Sequence, residues 1–147
     1  MGISTAAKAL SEGQFGQFPL YAFTDEGVWA LEVNSTGGYS AKQPITRDVC
    51  LSSKSITQID SAVLFTTDRG IMLLQGSQAM CISDVLNGEN AVTITVLPKI
   101  DKILEHADLS KGTLRILPFM DFVRDCRMIY DYEHQRIIAY NTSKEYN

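Results

Sequence analysis

Clustered positive charge is missing from this chain. Its thirteen Lys and Arg residues never adjoin one another, and the formal net charge is −4 with a pI near 5.1. Phosphate backbones and anionic membranes recruit grouped basic side chains, so neither nucleic acid nor a membrane surface is an expected partner. Cysteine is scarce as well. Cys50, Cys81 and Cys126 are an odd number at wide separations, which fits neither a disulfide framework nor a close metal-ligand motif. They read as small hydrophobic side chains, with reduced thiols suited to a cytoplasmic site of synthesis. No apolar run approaches the roughly 18 residues that span a bilayer, and no basic-then-apolar leader opens the sequence.

The 147 residues are 45% hydrophobic and 20% charged, enough for one domain with a sizeable core. Residues 3–11, ISTAAKALS, are Ala-rich behind Ser4 and predict a turn or short helix. Residues 20–24 and 28–33 are rich in aromatic and β-branched side chains, and Thr24-Asp25-Glu26-Gly27 between them reads as a hairpin turn. In such a turn Asp25 would bond local backbone and Gly27 would take a positive φ. Residues 42–49 contain Pro44 and predict an edge strand or loop.

The same phrase returns 43 residues later. Laying Gly70 over Gly27 also aligns Thr67 with Thr24, Asp68 with Asp25 and Leu74 with Leu31, while Arg69 stands where Glu26 stood. A supersecondary unit recurring with a period in the low forties is the pattern of a propeller blade. A looser third copy, CRMIYDYEHQRIIAYN at 126–141, has strands 128–132 and 136–140 about Glu133-His134-Gln135, without the glycine. Between the second and third copies, VTITVLP at 92–98 alternates like a strand. Ile100, Ile103, Leu104 and Ala107 then mark one face of an amphipathic helix over 98–110. The expected fold is mainly β: repeated antiparallel hairpins resembling partial β-propeller blades, with one inserted helix. As a single domain, 1–147 divides into repeat units at about 18–60, 61–90 and 119–147 and a helical insertion at about 91–118.

Chemical motifs are sparse. His106 and His134, the two histidines, have no second ligand at a recognised spacing. The carboxylates Asp25, Glu26, Asp68, Asp131 and Glu133 recur at turns, but none of these offers the alternating acids of a calcium loop. Phosphate-cradling glycine spacings and a nucleophile elbow are both absent from the sequence. No catalytic, cofactor or metal residue is therefore expected, and the reading is non-enzymatic. The residues of interest are the structural turns Thr24, Asp25, Gly27, Thr67, Asp68 and Gly70. A possible interaction surface comprises Trp29, Glu26, Arg69 and His134, and the wider set Tyr21, Tyr39, Tyr130, Tyr132, Tyr140 and Tyr146 offers aromatic stacking.

The runs STAAKALSEGQFGQFPLYAFTDEGVWALEV, SAKQPITRDVCLSSKSITQIDSAVLFTTDRGIMLLQGSQAMCISD and PFMDFVRDCRMIYDYEHQRIIAYN cover nearly the whole chain. They resemble a section of large phage- and prophage-encoded virion-associated proteins of gut bacteria, stabilisation or tail-region structural proteins with propeller-like repeats. The resemblance implies an assembly role in the tail or portal region. The implied setting is the host bacterial cytoplasm during assembly and then the virion. Implied partners are other virion proteins, or further copies paired through sheet edges, with a carbohydrate or cell-surface ligand as the alternative. It also implies that the chain is an excised piece of a longer protein. Two or three blades cannot close a ring, so an open array or partial propeller is expected.

Overall fold

The structure is a computed structural model, and it describes residues 2–5, 20–33, 36–41, 44–86 and 119–142. Eleven strands among these residues form three antiparallel sheets. The first contains β1 (Gly2–Thr5), β2 (Leu20–Thr24), β3 (Gly27–Val33), β4 (Tyr39–Ser40) and β5 (Pro44–Thr46). β4 pairs with the far end of β3 and β5 with its near end, so these two segments share one broken edge lane. The second is a meander of β6 (Thr57–Ile59), β7 (Ala62–Thr67), β8 (Gly70–Gln75) and β9 (Gln78–Cys81). The third is the hairpin β10 (Cys126–Asp131) and β11 (Arg136–Asn141), preceded by a short helix, α1 (Phe119–Arg124).

The repeat read from the sequence is a repeat in register. Thr24 faces Gly27 and Leu20 faces Leu31 in the first hairpin; Thr67 faces Gly70 and Val63 faces Leu74 in the second. Both pairs are related by the same shift of 43. The sheets also stack lane on lane, with β1 over β6 and β7 and β5 over β9. The first-sheet side chains Tyr21, Phe23 and Val28 meet Val63, Phe65, Met72 and Leu74 in one core. There the Phe23 and Phe65 rings lie edge to face at 5.1 Å, an arrangement that adds about 1 kcal/mol to the burial of their area. The opposite face of the second sheet packs Leu64, with Ile59, Ile71 and Leu73, on Cys126, Met128, Phe122 and Ala139. This explains why β7 is an unbroken buried run where a one-sided strand would alternate.

Polar bonds cross both interfaces. The Tyr21 hydroxyl donates to the Gly76 carbonyl at 2.9 Å, joining the first two sheets, and burial pushes that phenol's pKa up. The Thr57 hydroxyl donates to the Met128 carbonyl at 2.7 Å, joining the second and third. Asn141 Nδ2 donates to the Phe122 carbonyl and ties α1 to β11.

Several sequence expectations need correction. Of the stretch 3–11, expected as a turn or short helix, Ile3 to Thr5 belong to a strand, because pairing with β2 overrides a modest helix preference, and 6–11 lie outside the described residues. The segment Thr57–Ile59, placed with the first repeat, pairs with β7 and belongs to the second sheet. Pro44 does lie on an edge lane, as its missing N–H requires. The strand at 92–98 and the helix over 98–110 lie outside the described residues.

Candidate interaction surfaces

Both T-D-x-G turns are built by threonine. The Glu26 amide donates to Thr24 Oγ1 at 3.2 Å, and that hydroxyl donates to the Gly27 carbonyl at 3.0 Å. The Arg69 amide and the Gly70 carbonyl make the same two bonds with Thr67 Oγ1, at 3.1 and 3.5 Å. Asp25, expected to bond local backbone, is instead exposed at its tip, as Asp68 is at the other. Gly27 and Gly70 have φ of 128° and 120°, so the expected positive φ is present. At Gly27 space is short as well, since a Cβ there would collide with the Thr46 carbonyl oxygen.

The two tips sit at the same end of the stack. Arg69 Nη1 donates to Asp48 Oδ2 at 3.2 Å, and Asp48 follows the β5 residue that faces Val28, beside the first tip. His134 stands apart from them. Leu51 and Ser55 bond to Thr66 near the tip of the second hairpin, and Ser52, Ser53 and Lys54 share a crevice with Asp125, Arg127 and Thr142 at the open end of the third. The third hairpin thus runs away from the other tips, and its turn lies about 17 Å further along the strands. Trp29, Glu26, Arg69 and His134 therefore do not form one surface. In the third turn, Gln135, just before Arg136, has a positive φ of 49°, whereas the glycines of the other two turns lie at 128° and 120°. Asp131 Oδ2 lies 2.9 Å from both His134 Nδ1 and Arg136 Nε, and its Oδ1 accepts from the His134 amide. Desolvation works against the carboxylate's charge, but these donors and the Arg136 charge outweigh it and hold Asp131 below the usual range.

The shared crevice has a volume of about 380 Å³, lined by Leu51, Ser52, Ser53, Lys54, Asp125, Arg127 and Thr142. Two cations, one carboxylate and several hydroxyls can hold water or a small polar group, but they supply no nucleophile and base in a working pair. Cys50, Cys81 and Cys126 form no disulfide. Burial pushes Cys126 up to about 11, and burial raises Cys50 despite hydrogen bonds to Ser55 and Ser52. Both are poor nucleophiles at neutral pH. Among the described residues, no three His, Cys, Asp or Glu side chains gather as a metal site, and no helix is long and apolar enough to cross a membrane.

The sequence reading missed the outer faces of the stack. Strand alternation puts Leu20, Ala22, Trp29 and Leu31 on the side of the first sheet opposite its core residues, next to Ile3, which is 71% exposed. Trp29, expected as an exposed contact, is half-buried there, paired with Ala22 and Pro44. At the other end, Ile129 (51% exposed), Ile138 and Tyr140 lie on the outward side of β10 and β11, which they share with Arg127 and the Asp131–Arg136 pair. A signal was present in the sequence: apolar residues at both parities of VWALEV indicate a strand with two apolar faces. Among the aromatics proposed for stacking, Tyr21 is fully buried in the core, Tyr39 and Tyr132 are exposed, and Tyr146 lies outside the described residues.

No protein-family model, curated protein or solved structure matches this chain.

Proposed function

We propose that the chain is a non-enzymatic structural and interaction module of a phage or prophage particle, acting in tail or portal-region assembly. Its four-lane sheets are blade-like units in an open array. The observation that supports this reading is the exposed apolar side chains on both outer faces, Ile3 beside the half-buried Leu20, Trp29 and Leu31 at one end and Ile129, Ile138 and Tyr140 at the other. Large apolar side chains grouped on an outer sheet face and left open to water favour association. The class of particle comes from the sequence resemblance, and the partners are other virion proteins or further copies of the chain. It would be made in the host cytoplasm and carried into the virion.

Mass spectrometry of particles purified from the encoding host tests this directly. Peptides from the chain should copurify with the capsid protein at a constant ratio through a density gradient. Their absence from intact particles would remove the reading. The exposed rings of Tyr39 and Tyr132 favour a carbohydrate or cell-surface ligand as the second reading, and a glycan-array signal lost in Tyr132→Ala would support it.

A further inference from the structure

The sheets stack in one direction. The second sheet meets the first with Val63, Phe65, Met72 and Leu74, whereas the first meets the second with Tyr21, Phe23 and Val28. Moved by the repeat of 43, that first set falls on Leu20, Ala22, Trp29 and Leu31, the outer face of the first sheet. Each unit thus has one face that receives a preceding sheet and one that enters the next. In the second sheet the four receiving residues are fully buried; in the first, all four equivalents keep partial exposure, and Ile3 beside them is open.

We propose that this receiving face binds the outward face of β10 and β11 from a second copy, so that the chain stacks head to tail. The sheet-on-sheet contact inside the molecule is the template; Ile129, Ile138 and Tyr140 supply the apolar part of the entering face, and the Asp131–Arg136 pair lies toward the turn of that hairpin. Charge agrees with the arrangement. In the internal contact Arg69 reaches back to Asp48 of the preceding unit. Glu26 occupies the equivalent place at the receiving end and calls for a cation from its predecessor. Arg127 lies on the outward side of β10, at the open end of that hairpin, which is the end of the stack where Glu26 sits. Because the two faces differ, the contact is heterologous and extends until a ring closes or a filament forms. The inference rests on the interaction-module reading and names its partner surface; sedimentation tests the stacking, whereas particle composition tests the module reading independently.

Sedimentation velocity of the 147-residue chain across about a hundredfold range of concentration should show reversible growth beyond a dimer. Ile3→Glu and Ile129→Glu each place a charge in one face at an exposed position, so each variant alone should be monomeric with an unchanged circular dichroism spectrum. Mixed, they should form a dimer and nothing larger, since one intact receiving face remains to meet one intact entering face. Tyr140→Lys repeats the entering-face test should Ile129→Glu fail to fold. Glu26→Arg and Arg127→Glu should each weaken association about two- to fivefold and restore it when combined in the same chain. A strictly monomeric parent overturns the proposal. So does a dimer lost in Ile3→Glu but retained in Ile129→Glu, association untouched by either, or charge reversals that fail to restore each other.

Discussion

Replacing Ser55 with alanine removes one hydroxyl whose whole bonding capacity is used inside the protein. Ser55 Oγ donates to the Ser52 carbonyl at 2.7 Å and accepts from the Thr66 amide at 3.0 Å and from Thr66 Oγ1 at 2.8 Å, with Cys50 Sγ a longer contact at 3.9 Å that keeps its bond to the Ser52 carbonyl. Both residues are fully buried. The Ser52 carbonyl still accepts from the Ser55 amide after the change, so its loss is small. The Thr66 amide keeps no such alternative, and a buried N–H left unpaired costs about 1–3 kcal/mol. Adding about 1 kcal/mol for the stranded Thr66 hydroxyl gives roughly 3 kcal/mol, a fall in Tm of roughly 10 °C for a chain of this length. Thr66→Val should cost no more than about 1 kcal/mol, because the amide bond to Ser55 survives it. The double variant should be less damaging than the sum of the two, since valine removes the hydroxyl that Ser55→Ala strands. Urea unfolding followed by circular dichroism measures all three. A Ser55→Ala cost below about 1 kcal/mol, or simple additivity, would refute the role given to this hydroxyl.

Gly27→Ala should destabilise by more than the ~1–2 kcal/mol that a positive φ alone imposes, since its Cβ meets Thr46 backbone, whereas Gly37→Ala, with φ of 81° but open space, should stay within that range. Thermal melts of the two variants decide this, and equal losses would contradict the close approach. Cys126 should resist alkylation in the native protein at pH 8 and react on unfolding, as mass spectrometry would show. Its folded pKa, about 11, lies above that of an unfolded thiol, about 8.5, so this group's stabilisation is complete below about pH 8.5 and falls as pH rises toward 11. Cys126→Ser should flatten that part of the stability profile, and an unchanged slope would contradict the assignment.

The hairpin repeat was legible because its turns are chemically demanding. A two-residue connection followed by a residue at φ near 120° leaves few choices, and T-D-x-G written twice at one spacing carries the register with it. Sequence reasoning credited Asp25 with the backbone bonds that Thr24, like Thr67 in the second turn, makes, since either residue type can close such a turn and only geometry separates them. Long-range contacts were harder to see. LSSKSITQ reads as a polar loop, yet Ser55 and Thr57 are buried because Thr66 and Met128 lie against them from distant sequence. The start of the 3–11 stretch reads as a turn or short helix behind Ser4, yet Gly2–Thr5 is a strand, since local preference is weak beside a paired edge. The grouping of Trp29, Glu26, Arg69 and His134 failed for a similar reason: hairpin tips look alike in sequence, and the direction in which each runs is set by packing.

Trp29 is the sole tryptophan and stands on the outer face of the first sheet, so its emission reports on the surface to which the account gives a function. On concentrating the native chain, emission should shift to shorter wavelength as a second sheet excludes water from the half-exposed indole, and Ile129→Glu should abolish the shift. An emission maximum that stays fixed at every concentration would show that nothing covers this face in solution and would contradict the account.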